Sequence, residues 1–179
     1  MFLSDVDIKI ALDNKEITIE NFDDKRLQVA SYDVLLGNKF ILTEKHSTPL
    51  VDPVKKIFAK TQEIIIPDDG EFILHPNEAV LGEVFDFVGS DEYLIQIGGK
   101  SSLARIGLIV HNTAGVINPG HYLNIVLELS NMSQIPIVLR PKMEIAQLLF
   151  SKLTSRPSHR YEEIGRYAKD NWKGGIAKE

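Results

Sequence analysis

The chain has 179 residues, 44% of them hydrophobic and 25% charged, with a net charge of −5 and no cysteine. That profile fits one domain long enough to bury a real core; it excludes disulfides, thiol nucleophiles and cysteine-bound zinc, and it argues against a general nucleic-acid binder, which is usually basic. No apolar run reaches the roughly 18 residues of a membrane span, and Met1-Phe2-Leu3 leads straight into charged sequence rather than a signal peptide, so the expectation is a cytoplasmic protein with no membrane partner.

Taken in order, Ser4-Asp5-Val6-Asp7 has the S-x-x-[DE] form of a capping box. It predicts a short helix to about Leu12, with Ile8, Ala11 and Leu12 as its buried stripe. Residues 31–41 alternate Tyr32, Val34 and Leu36 with other side chains, as a strand does, and Gly37-Asn38 signals a turn there. Residues 49–60 read as a surface excursion. Further strands are expected at 63–66, 71–75, 79–88, 93–97, 107–111, 123–129, 135–139 and 145–150. Between them lie Pro67-Asp68-Asp69-Gly70, Pro76-Asn77, Gly89-Ser90 and Pro141 as turn signals. Many short strands at this spacing predict a mainly β barrel or sandwich. With no internal repeat or linker, residues 1–179 are expected to form a single domain.

Chemistry concentrates between residues 99 and 131. Lys100, Ser101, Ser102 and Arg105 place two cations and two hydroxyls within six residues, the groups a polyphosphate needs in one place. The turn-rich segments Thr113-Ala114-Gly115 and Asn118-Pro119-Gly120 follow. In the next strand Ile125, Leu127 and Leu129 share one face, and Asn124, Val126 and Glu128 share the other. A carboxylate among β-favouring aliphatics either lies on a solvated face or has a bound role, because burying it alone is costly. After Phe150 the chain turns glycine-rich and cationic, which suits either a solvated tail or a flap of about residues 154–179 that closes over an anion.

Four of these segments together resemble the dCTP deaminase family of the dUTPase-like superfamily. They are Gly99-Lys100-Ser101-Ser102-Leu103-Ala104-Arg105, Thr113-Ala114, Ile117-Asn118-Pro119-Gly120 and Leu127-Glu128. The Asp33-Val34-x-Leu36-Gly37 run is also similar to that family's N-terminal strand. The resemblance implies a dUTPase-like distorted β-barrel, jelly-roll-like, with a short N-terminal helix and a flexible C-terminal tail. It implies a homotrimer with sites between subunits, acting as a hydrolase on the cyclic amidine C–N bond of dCTP. The products would be dUTP and ammonia; a bifunctional enzyme giving dUMP and pyrophosphate, or a non-catalytic nucleotide-binding homologue, are the alternatives. No polymeric nucleic acid is implied as a partner, and dTTP is a candidate inhibitor.

By the same resemblance Glu128 is the general acid/base, with Ser101, Arg105 and Ala114 completing the catalytic set. Lys100, Ser101, Ser102, Leu103, Ala104, Arg105, Asn118, Val126, Leu127, Glu128, Gln147, Tyr161 and Lys169 bind substrate. Magnesium arrives on the triphosphate, and no protein residue is expected to hold a metal. Zinc is not expected, since zinc deaminases need a C-x-x-C pair. His111, just before the Thr113-Ala114 turn, suits a structural role better than a catalytic one. Three positions depart from the family pattern. Lys100 stands for an arginine, which predicts weaker phosphate affinity. Asn118 stands for an aspartate, so it can accept a sugar hydroxyl's hydrogen bond but cannot act as a base; the expected end product is therefore dUTP. Asn124 stands for a glycine and is expected to narrow the sugar pocket.

Overall fold

The computed structural model describes residues 1–165. Helix α1 (Asp5–Asp13) opens the chain with the expected capping box: the Ser4 hydroxyl accepts from the Asp7 main-chain N–H, and the Asp7 carboxylate answers the Ser4 N–H. Ile8 and Ala11 are its buried residues. Among the described residues eleven strands follow: β1 (Ile17–Ile19), β2 (Tyr32–Thr43), β3 (Thr61–Ile65), β4 (Phe72–Leu74), β5 (Ala79–Ser90), β6 (Tyr93–Gly99), β7 (Leu108–Ile109), β8 (Val116–Ile117), β9 (Leu123–Asn131), β10 (Ile137–Leu139) and β11 (Glu144–Lys152). Two one-turn helices, α2 (Ser101–Ala104) and α3 (Tyr161–Ile164), and a 3-10 turn at Asp24–Arg26 accompany them. Every strand anticipated from the sequence is present within a few residues of its expected bounds.

Nine strands form one curled antiparallel sheet in the order β7-β9-β5-β2-β11-β6-β8, with β1 against β5 and β3 against β2; β4 and β10 pair separately. The curl comes from two long strands that change partners halfway. β2 pairs β11 through residues 32–35 and β3 through residues 39–43, while its other edge follows β5. The change falls at Gly37-Asn38, where the register to β5 shifts between Leu36 and Phe40. The expected turn is therefore a bulge inside a continuous strand. Its glycine is required by close approach, since a Cβ on Gly37 would lie 2.7 Å from the Glu83 carbonyl oxygen. A bulge of this kind bends and twists its strand, which is what closing a sheet needs.

β5 repeats the device. It pairs β2 through residues 81–84 and β1 through residues 88–90, with a register shift against β9 between Glu83 and Phe87. The carbonyls of Val84 and Phe85 are taken by the Asn124 side-chain amide at 3.3 and 3.2 Å. Asn124 thus serves the bulge. β5 also runs through Gly89-Ser90, moving that turn to Asp91-Glu92.

The core is the inner face of the sheet: Tyr32, Val34, Leu36, Phe40, Ile95, Leu127, Leu129, Ile145, Leu148 and Phe150 are all almost fully inaccessible to water. One charged pair is buried with them. Arg26 grips Asp86 through both guanidinium nitrogens at 2.8 and 3.0 Å, and Asp86 also accepts from the Leu35 N–H at 2.9 Å. Arg26 lies over the Tyr32 ring, and burial pushes the pKa of the Tyr32 hydroxyl up to about 12. The first residues close the sheet: Phe2 bridges to Ser151, and the Leu3 N–H donates to the Phe150 carbonyl at 2.9 Å.

Candidate active site

β6 and β9 lie far apart in the strand order, and one short loop joins them in space. After β7 the chain leads into a loop that touches both strands. The Asn112 N–H reaches the Glu128 carboxylate of β9 at 3.4 Å, and three residues later the Gly115 carbonyl accepts from the Ile97 N–H of β6 at 2.8 Å. Three residues of chain reach at most about 11 Å. One loop thereby links Glu128 to β6, with exposed Thr113 and Ala114 between the two contacts. The loop thus touches two strands that are remote along the chain.

Glu128 is half-buried on the face of β9 it shares with Val126 and Asn124, while Leu127 beside it is buried in the core. Its carboxylate accepts one long contact, from the Asn112 N–H at 3.4 Å. A carboxylate so placed can take a proton from one partner and return it to another.

Ser101, Ser102, Leu103 and Ala104 form α2, directly after β6, and Arg105 caps it. The Ala104 and Arg105 N–H groups close the turn onto the Lys100 and Ser101 carbonyls. Ser101, Ser102, Ala104 and Arg105 are exposed; Leu103 packs partly against the core. Gly107 ends the turn with φ +88°, a conformation glycine adopts without strain. The Met132 N–H donates to its carbonyl at 2.9 Å, tying α2 to the end of β9.

The motif block leads one to expect Lys100 to offer its charge to phosphate. Its ammonium instead donates to the buried Asp33 of β2 and, at 2.7 Å, to Glu144 of β11. Burial lowers its pKa and these two hydrogen bonds outweigh that, leaving it above the usual lysine range. Gln147 is also occupied: its amide donates to the Gly99 carbonyl at 3.0 Å and its oxygen accepts from Ser31 at 3.0 Å. It braces the end of β6, just before Lys100. Nothing in the sequence pattern marks Asp33 or Glu144 as a partner of Lys100.

Asn118 is exposed at the end of β8. Its carbonyl accepts from His121 at 3.1 Å, and Gly120 has φ +82°, so Asn118-Pro119-Gly120-His121 is the type II turn its Pro-Gly pair favours. Tyr161 packs on this turn, its ring stacked on His121 at 4.1 Å, and Arg160 reaches Asp91 nearby. His121, pushed below the ordinary histidine range by burial, carries no signal in the sequence pattern. The start of the tail therefore meets the turn that carries Asn118, while Lys169 lies outside the described residues. His111 adjoins the Gly115 turn with its ring, and its Nδ1 is buried without a hydrogen-bond partner among the described residues. No group of three His, Asp or Glu side chains suited to a metal is found among the described residues, and no described helix is long and apolar enough to cross a membrane.

Comparison with known proteins places this geometry in context. A family model described as dCTP deaminase-like matches residues 2–153. A protein of Tropheryma whipplei (strain Twist) named dCTP deaminase, dUMP-forming, is 42% identical over 162 residues, covering 90% of this chain and 83% of the relative. One of the same name from Streptomyces coelicolor is 42% identical and covers 90% and 85%. Another from Halobacterium salinarum is 40% identical over 166 residues, covering 90% and 85%. Among solved structures, the 2'-deoxycytidine 5'-triphosphate deaminase of Agrobacterium tumefaciens superposes with a TM-score of 0.62 at 19% identity. That match covers 85% of this chain and 48% of the other, so this chain spans about half its length. A mutant dUTPase from a phage of S. aureus matches at 0.50 with 11% identity, over 83% of this chain and 98% of that one. At these identities the structural likeness speaks for the fold, which is the mostly β, dUTPase-like fold the sequence led us to expect.

Proposed function

The chain belongs to the dCTP deaminase-like family, and on that premise we propose that it hydrolyses dCTP at C4 of cytosine, releasing ammonia, and carries the nucleotide on to dUMP. The observation that supports the deamination is the half-buried Glu128 carboxylate facing the loop that carries Ala114, through the Asn112 N–H. A general base there takes a proton from water as the oxygen attacks C4. The same carboxyl then delivers that proton to the departing amine, so one group serves both transfers. Ser101 and Arg105, exposed one turn apart, face the base and its phosphates; the Arg105 fork of donors suits an anion. Ala114 leaves room for the ring, and the main chain around it orients the water. Asn118 accepts the sugar hydroxyl, and Tyr161, already against that turn, is the first tail residue placed to cover the ligand.

Magnesium enters on the triphosphate and spreads its negative charge; the proton transfers rest on protein groups, without zinc. We take the assembly to be a homotrimer with sites between subunits, formed by a single domain whose tail acts as the flap. The names of the relatives support dUMP as the end product. A second reading, in which dUTP accumulates, is favoured by Asn118, since an amide orients water at the α-phosphate but has no useful basicity near neutral pH. Incubation with dCTP and magnesium, followed by separation of the nucleotides and assay of ammonia and pyrophosphate, decides between them. Equal yields of ammonia and pyrophosphate with dUMP support the first reading. Accumulating dUTP with ammonia alone supports the second. Release of neither overturns the proposal.

A further inference from the structure

From Ile106 to Leu139 the chain has one formally charged residue, Glu128, although 25% of the whole sequence is charged. The fold gathers much of this stretch at one edge. β7 is the terminal strand of the nine-stranded sheet. It pairs with the end of β9 through Leu108–Asn131 and Ile109–Ser130, and the Met132 N–H holds the Gly107 carbonyl at 2.9 Å. The buried Asn131 amide donates to the Leu74 and Ile135 carbonyls at 2.9 and 2.8 Å, which brings the β4–β10 ribbon alongside. Ile106, Ile109, Met132 and Ile135 border this junction with exposed side chains. Ile73 and Val138, paired across the ribbon, are exposed as well.

Exposure of these six runs from 37% to 73%, which leaves on the order of 500 Å² of apolar side chain along one edge, near the upper limit for a monomer. A standard contact covers about 800 Å² on each partner, and about two-thirds of it is apolar when the partners are copies of one chain. The patch has that size and composition. β7 also lacks the charges and prolines with which exposed sheet edges are usually guarded. The occupant follows from charge. At −5 per chain, copies repel where their charged surfaces meet, and a face without charge brings them together with least repulsion. A partner chosen by charge would find nothing here to select it. We infer that copies of this chain assemble through the face made by β7, the 131–135 turn and the β4–β10 ribbon, with Met132 and Ile135 as its most exposed contacts. This deepens the assembly proposed above and rests on it, and it is independent of which nucleotide is bound.

Other exposed aliphatics supply the controls, because they sit among charges: Val54 precedes Lys55 and Lys56, and Val6 lies between Asp5 and Asp7. Sedimentation equilibrium of the full chain should show an oligomer. Met132→Lys and Ile135→Lys should each raise its dissociation constant about 10²-fold or more, since an ammonium would be buried there without a partner. Val54→Lys and Val6→Lys should leave the mass unchanged. All four side chains are exposed in the protomer, and circular dichroism checks that each variant is folded. Because the chain has no cysteine, Ile135→Cys also supplies a single thiol as a probe. In the assembled protein its reaction with a maleimide should run at least about tenfold slower than that of Val54→Cys, and should catch up on dilution to protomers. Equal rates in the assembled protein overturn the inference. So does a parent that stays monomeric at every concentration, or an assembly that the patch lysines leave intact or the control lysines dissolve as readily. Ammonia release from dCTP is assayed on the same samples. A monomer that deaminates sinks the face and keeps the proposed reaction, whereas an inactive assembly sinks the reaction and still decides the face.

Discussion

Asp86 and Glu128 are two carboxylates on adjacent strands of one sheet, and they are treated in opposite ways. Asp86 is fully buried, gripped by both nitrogens of Arg26 and by the Leu35 N–H. Glu128 is half-buried, and its contact to the Asn112 N–H is a long 3.4 Å. The first has its oxygens committed to the fold. The second keeps capacity in reserve. A charge that holds a fold together must be saturated, because an unsatisfied buried carboxylate destabilises it. A charge that moves protons must be able to change partners. On the proposed mechanism, saturation is what separates the structural carboxylate from the working one.

The comparison breaks most sharply at Glu128. Glu128→Gln keeps the shape and is expected to cost about 10²–10⁴-fold in kcat while the melting temperature stays within a few degrees. Steady-state ammonia release together with thermal unfolding checks both halves, and a variant as active as the parent removes Glu128 from the mechanism. The mirror experiment is Asp86→Asn, which strands Arg26 in the interior. It should lower unfolding free energy by about 3–5 kcal/mol, measured by denaturant titration. If activity per folded molecule falls as far as it does for Glu128→Gln, the division between the two carboxylates fails.

A smaller effect sharpens the same point at the β5 bulge. Asn124→Ala leaves the Val84 and Phe85 carbonyls without their side-chain donor, and is expected to cost about 1–3 kcal/mol in denaturant unfolding. The mutation should leave nucleotide affinity alone, since Asn124 serves the strand. The smallest effect concerns His121 under Tyr161. Burial holds the folded-state pKa of His121 below its ordinary value. The unfolded chain therefore binds the proton more readily between the two values, and stability present above about pH 6.5 is lost as pH falls below it. NMR titration of the ring should give a midpoint below about 6.5 in the parent, and His121→Phe should flatten that part of the pH–stability curve. A midpoint at or above the ordinary value refutes the burial.

Local pattern carries much of this into view. The faces of β9, the α1 cap and the Pro-Gly turn at Asn118 are each written in residues a few positions apart, where side-chain period and turn chemistry act directly. β1 and β8 escape a sequence reading because three and two residues are too few to show a period; they exist because β5 and β6 offer them an edge. Gly37-Asn38 looks like a turn for a related reason, since a glycine demanded by a neighbouring carbonyl is indistinguishable in sequence from one demanded by a positive φ. The site divides the same way. Glu128 stands out as a carboxylate among aliphatics, and the motif block locates α2. The partners of Lys100 lie on strands that only the finished sheet brings together, at positions 33 and 144, so nothing near Lys100 announces that its charge is taken.

The bridge from Phe2 and Leu3 to Phe150 and Ser151 has a consequence in time rather than in energy. Phe2 and Leu3 wait for partners on β11, so they remain unpaired until that distant strand has been made. Closing so long a loop is entropically slow, and a sheet built from such distant pairings is expected to fold over milliseconds to seconds rather than microseconds. Until β11 arrives, β2 and β6 each present an open edge to the other chains around them. A newly made molecule is then vulnerable to wrong pairing for as long as β11 is missing.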